Sequence, residues 1–162
     1  MRANRSIYNY DGAVRELIHR YKFEGQSNLA EFFAAGLAEC YRSEERSEPI
    51  VPVPPRPRKR RNRGTHISRI AKILNREFDI EIAALLERKP GPPQKTLDYE
   101  RRLANPKGKF MLAKKIEGET ISGRDFLLLD DVLTTGATLD ACAGVLLNAG
   151  AAKVESYTLA LD

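Results

Sequence analysis

The stretch "FLLLDDVLTTGATLDAC", Phe126 to Cys142, sets four apolar residues against two adjacent aspartates and then against a hydroxyl-rich turn. A nearly all-apolar run such as "DFLLLDD" reads as a strand buried on both faces. The following "GATLDACAGVLLNAG" reads as a helix stopped by Gly150. In parallel α/β sheets ligands bind beyond the carboxyl ends of the strands, which is where Asp130 and Asp131 fall. Thr134, Thr135, Gly136, Ala137 and Thr138 form the turn into the helix N-terminus, where backbone N–H groups and the positive end of the dipole favour a phosphate. The threonine hydroxyls add donors, and Gly136 lets the backbone approach a ligand closely.

Carboxylates repel a phosphate, so the aspartates must face a neighbour that donates hydrogen bonds or carries positive charge. A ribose ring satisfies both conditions if it reacts at C1 and becomes oxocarbenium-like. The stretch therefore reads as a site for a ribose 5-phosphate. An acidic pair after a buried strand also ends the Walker B strand of nucleotide hydrolases, but the chain contains no G-x-x-x-x-G-K-[ST]. The acidic strand end of a response regulator leaves the TTGAT turn unexplained. An ordinary strand-to-helix turn with Asp at its start is the structural alternative.

Working outward, Asp11 can cap a helix carrying Val14, Leu17, Ile18 and Tyr21 at helical spacing, with Gly25 as its stop. A second helix is expected from near Ser27, with Leu29, Phe32, Phe33, Leu37, Cys40 and Tyr41 on one face and the polar run "RSEERSE" at its end. "IVPVP" reads as a short strand whose prolines must lie at its end or on an edge. Thr65 or Ser68 opens a helix striped by Ile67, Ile70, Ala71 and Leu74, followed by strands at "IEIAALLER" and "FMLAKKI". Residues 89 to 109 read as a long functional loop, and "KVESYTLAL" as a last strand. Helices alternating with buried strands imply an α/β parallel sheet with an antiparallel excursion around the long loop.

The 162 residues suit one domain, and 42% hydrophobic with 30% charged content is ordinary for a chain that folds. No window reads as a membrane span or signal peptide, so the expected location is cytoplasmic. Cys40 and Cys142 have no partner at metal or disulfide spacing and read as small helix fillers. The net charge of +5 is concentrated in Arg56, Arg58, Lys59, Arg60, Arg61 and Arg63, which fits either an anionic partner or a solvated loop. His66 could donate to an anion or simply begin a helix at the surface; His19 has less claim.

"LLLDDVLTTGATL" resembles the phosphoribosyl pyrophosphate (PRPP) binding motif of the type I phosphoribosyltransferase family. Within that family the chain is similar to the ComF/GntX branch, associated with bacterial competence and DNA uptake. The likeness runs through Tyr10, Gly12, Arg15, Ile18, Lys22 and Gly25; through "VPVP" with Arg63 and Gly64; and through Gln94, Leu97, Arg102, Asn105, Gly108 and Phe110. It departs at "RGTHI", Gly64 to Ile67, where relatives tend to read "RGFNQ", and it has no four-cysteine zinc module.

The resemblance implies a type I phosphoribosyltransferase-like (Rossmann-like) domain over residues 1–162. Residues 1–48 would form N-terminal helices or a rudimentary hood, and 49–162 the PRPP-binding core. Asp130 and Asp131 would contact the ribose hydroxyls, Thr134 to Thr138 the 5-phosphate, and Pro55 and Arg56 the pyrophosphate. The long loop would close over the substrate with Lys95, Arg101 and Arg102 above the departing pyrophosphate. Mg2+ would ride on PRPP with no direct protein ligand. The implied activity is phosphoribosyl transfer to a nitrogen acceptor, with Asp130, Asp131, Arg102 and Lys95 as catalytic candidates. The alternative is a non-catalytic PRPP-binding protein that holds single-stranded DNA on Arg58, Lys59, Arg60, Arg61 and Arg63, with competence-machinery proteins as partners. A homodimer is compatible with either.

Overall fold

A computed structural model describes residues 3–55, 66–89, 108–114, 116 and 120–162. In chain order the elements are β1 (Asn4–Asn9), α1 (Gly12–Phe23), α2 (Leu29–Ser43), β2 (Ile50–Pro52), α3 (His66–Phe78), β3 (Leu86–Arg88), β4 (Phe110–Leu112), β5 (Asp125–Leu133), α4 (Ala137–Asn148) and β6 (Lys153–Leu161). Four strands form a parallel sheet in the order β1-β6-β5-β2, while β3 and β4 make the expected antiparallel excursion. The architecture is α/β, with helices flanking a central parallel sheet.

β5 lies inside the sheet because its side chains feed two cores at once. Strand alternation sends Leu127 and Leu129 into a cluster with Phe33, Leu37, Ile70 and Leu74. Phe126 and Leu128 enter a second cluster with Phe110, Leu139, Cys142 and Leu146. Each fully buried aliphatic or aromatic side chain contributes roughly 1.5–3 kcal/mol, so the run that decides the fold also anchors both layers.

The helices begin and end for local reasons. The Asp11 carboxylate accepts a bond from Val14 N–H at 3.3 Å, capping α1, and Gly25 follows in the left-handed region at φ +73°. On α2 the buried stripe is Ala30, Phe33, Ala34, Leu37, Ala38 and Tyr41. The helix starts at Leu29, two residues after Ser27, and Phe32 leaves the stripe. It is 49% exposed and stacks on Tyr8 at 5.9 Å. Cys142 is buried as expected, while Cys40 is only half-buried.

Other strand boundaries differ from the sequence reading. β1 lies outside the elements read from the sequence: "NRSIYN" lacks clear alternation, and an edge strand paired with β6 alone needs less apolar surface. "IEIAALLER" contributes only a single bridge from Ile82 to Ile50 and the three residues of β3. "FMLAKKI" yields three strand residues. "IVPVP" behaves as required, with Pro52 closing β2.

The register positions the site. Pro52 is opposite Leu129 at the end of the β2 ladder, whereas β5 continues beside β6 to Leu133. Asp130 therefore emerges where β2 has stopped, and Val53 N–H still reaches Leu129 O at 2.9 Å. α1 serves the same end of the sheet. Its entry is tied by Tyr10 N–H to Leu161 O at 2.9 Å, and its exit by the Tyr21 hydroxyl to His66 O at 2.6 Å.

Candidate functional site

Asp130, Asp131 and the turn Thr134–Thr138 lie together, as one continuous run from β5 into α4. Gly136 is the N-cap residue of α4 and adopts φ +71°, a conformation that favours glycine, so no side chain caps the helix. Thr134 and Thr135 are exposed, and Gly136, Ala137 and Thr138 are half-buried. The bond from Ala137 N–H to the Thr135 hydroxyl is long, at 3.5 Å. The first amides of α4 thus stand at the carboxyl edge of the sheet beside three hydroxyl-bearing residues.

The two carboxylates have different surroundings. Asp130 accepts from Asp131 N–H at 2.9 Å. Burial pushes its carboxyl up to about 7, the charge of Asp131 adds to the rise, and the Asp131 amide, Lys22 and Arg88 oppose it. Asp131 is held at both oxygens: Oδ1 accepts from Val132 N–H at 2.7 Å, and Oδ2 forms an ion pair with Lys22. Successive strand residues point to opposite faces. Asp131 meets α1 directly through Lys22, while Asp130 feels the charges of both Lys22 and Arg88 from β3.

Pro55, exposed, follows β2 three residues after its last ladder position. A cleft of about 750 Å³ opens beside it, lined in part by Pro52–Pro55, Lys72, Glu87 and Arg88. Arg56, Arg58, Lys59, Arg60, Arg61, Arg63, Lys95, Arg101 and Arg102 lie outside the described residues.

Three residues at the site had no assigned role in the sequence reading. Lys22 stood in the N-terminal run without a function, and its meeting with Asp131 depends on where α1 exits. Arg88 sits at the end of β3 with its guanidinium 4.5 Å over the Phe110 ring. Cys142 lies beneath Asp130: burial first, and then the Asp130 charge, push its thiol up to about 12, so it is a packed thiol and not a nucleophile at neutral pH.

Residues 68–162 match the family described as "Phosphoribosyl transferase domain". The chain belongs to this phosphoribosyltransferase family and is a ComF-type member of it. It is 28% identical to the competence protein ComFC of Bacillus subtilis, over 98% of this chain and 64% of that protein. It is 29% identical to ComFC of Streptococcus pneumoniae, over 97% and 67%, and 28% identical to the DNA utilization protein YhgH of Escherichia coli K12, over 95% and 70%. The chain therefore spans about two thirds of the length of these relatives. Among solved structures, a Trypanosoma cruzi hypoxanthine phosphoribosyl transferase is 11% identical, with a TM-score of 0.48 over 84% of this chain and 73% of that one.

Proposed function

We propose that the chain binds PRPP at Asp130–Thr138 and transfers its phosphoribosyl group to a nitrogen acceptor with release of pyrophosphate. The carrying observation is the acidic pair running directly into an uncapped helix N-terminus at the carboxyl edge of the sheet. In this reading the Thr134–Thr138 turn holds the 5-phosphate, each charge-assisted bond contributing roughly 1.5–3 kcal/mol. Asp130 and Asp131 accept bonds from the ribose hydroxyls. The C1–O bond breaks with its electron pair on pyrophosphate, the acceptor nitrogen bonds to C1, and the acceptor proton is released. Positive charge developing on the ring favours the ionised form of Asp130, which gives the pair its strongest grip in the transition state.

No group of three or more His, Cys, Asp or Glu among the described residues could hold a metal. An acidic pair with one carboxylate already engaged at both oxygens suits magnesium carried on ligand phosphates, since this ion keeps waters and uses few protein ligands. It would neutralise charge on the departing pyrophosphate. Pro55 and Arg56, then Lys95 and Arg102, are proposed to line the pyrophosphate from two loops. Residues 1–48, with their two helices, are proposed to serve as a rudimentary hood.

Calorimetry with magnesium and PRPP tests the site. Wild type should bind, and Thr135→Asp should not, because a carboxylate would occupy the phosphate position. Equal affinities would overturn the assignment.

The rival reading, a non-catalytic PRPP-binding protein that holds single-stranded DNA, is favoured by relatives named for competence and DNA utilization. Arg58, Lys59, Arg60, Arg61 and Arg63 would hold single-stranded DNA, with a salt slope of about −0.7 per phosphate contacted. The run contains no aromatic residue to stack on bases, so binding should be indifferent to sequence. A salt titration of a labelled oligonucleotide should show binding lost when Arg58, Lys59, Arg60 and Arg61 become Ser. A salt-insensitive complex, or one untouched by the change, would eliminate the reading.

A further inference from the structure

We infer that Lys22 is a positioning residue of the sugar site: from the last turn of α1 it clamps Asp131 and so makes the N-terminal helix part of the binding machinery. The inference rests on the reading of Asp130–Thr138 as a ribose phosphate site.

The geometry supports a built contact and not a chance surface pair. Lys22 and Asp131 are 21% and 30% exposed at their side chains, so the pair is largely screened from water. The preceding residue, Tyr21, is buried, and its hydroxyl donates to His66 O at 2.6 Å while its ring lies 5.0 Å from that of His66. This fixes the exit of α1 against the start of α3. The Asp11 cap and the bond from Tyr10 N–H to Leu161 O fix its entry. Lys22 is therefore aimed by a helix held at both ends.

Asp131 needs such a partner. One oxygen accepts from Val132 N–H, which sets the side chain but supplies no full charge. Its neighbour Asp130 is a second carboxyl; among the described residues Lys22 and Arg88 oppose the rise of Asp130, and Cys142 lies within reach of its charge. Among the described residues, Lys22 is the cation paired with Asp131, and it fixes the second oxygen. An ammonium carries three donors, and Asp131 takes one. Without it, the two adjacent carboxyls would lose a cation that acts on both, and the second oxygen of Asp131 would lose the contact that holds it toward the ribose hydroxyls.

The test compares wild type, Lys22→Met and Lys22→Arg with three probes: magnesium with PRPP, magnesium with pyrophosphate, and inorganic phosphate. Melting temperatures are recorded in parallel. Lys22→Met should lower PRPP affinity about tenfold or more while leaving phosphate and pyrophosphate binding unchanged, and Lys22→Arg should restore most of the loss. Unchanged PRPP affinity in Lys22→Met would overturn the inference while leaving the reading of the site intact. Equal losses for phosphate would show a general disturbance of the fold, and an equal loss for pyrophosphate would make Lys22 a leaving-group charge; either overturns the clamp. Wild type that binds no PRPP would overturn the reading of the site, and the inference with it.

Discussion

Charges on two sides of this sheet are treated in opposite ways. Around the first half of β6, Arg46 donates to Glu44 and Glu48 at 3.0 Å and to Glu155 at 2.6 Å. Lys153 adds a second cation on Glu155, Arg5 pairs with Glu44, and the Tyr157 hydroxyl donates to Glu44 at 2.7 Å. Burial alone would raise these three carboxyls. The bonds from Arg46 and its neighbours outweigh it, and all three end below their ordinary values. At the carboxyl end of β5 burial wins instead, and Asp130 rises to about 7. Carboxylates that exist for the fold are surrounded by donors. A carboxylate left short of donors costs stability, and the ligand site proposed above gives that cost a use.

The largest effect should come from breaking the well-compensated side. Arg46→Met would remove the cation shared by three carboxylates, leaving Arg5 on Glu44 and Lys153 on Glu155. Loss of a buried partner costs about 3–5 kcal/mol, and with Arg46 itself 21% exposed the expectation is about 2–3 kcal/mol. For a domain of this size that lowers Tm by roughly 5–10 °C. PRPP affinity should be unchanged. A variant that kept its Tm would show the network to be ornamental.

The pH dependence of stability sharpens the contrast at smaller amplitude. Glu44, Glu48 and Glu155 have lowered folded values, so their contribution is present above the ordinary glutamate value of about 4.3 and is lost as pH falls through the folded ones. Asp130 has a raised folded value, so folding takes up a proton there. Stability should decline as pH climbs from about 3.9, the ordinary aspartate value, through about 7. Chemical denaturation across pH 3 to 9 should give an acid limb weakened by Arg46→Met and a neutral limb untouched by it. One limb responding to both regions would contradict the division.

The sequence carried the two regions unequally. β5, the acidic pair and the TTGAT turn were legible because each depends on neighbours in the chain: a run buried on both faces, a strand end, and a glycine at a helix start. Gly25 and Gly150 marked helix stops for the same reason, at φ +73° and +99°. The run "RSEERSE" was legible only as the polar end of a helix, because its Glu44, Arg46 and Glu48 acquire their meaning from Glu155 and Tyr157, about 110 residues away in the chain. Lys22 was hidden in the same way, since its partner is set by how α1 crosses the carboxyl edge. β1 was hidden because one neighbour, β6, suffices to hold a polar edge strand.

The central claim is that Asp130 is held at a cost to the fold for the sake of a ribose phosphate, and Asp130→Asn tests it in one sample. At pH 8 the neutral amide removes a buried charge while its oxygen can still accept from Asp131 N–H. Tm should rise by about 2–4 °C for each kcal/mol recovered, and magnesium PRPP affinity, measured by calorimetry on the same protein, should fall about tenfold or more. If the protein turns over, the rate should fall by about 10²-fold, the scale of one lost transition-state contact. A lower Tm with unchanged affinity would mean that Asp130 belongs to the fold, and the account of the site would be wrong.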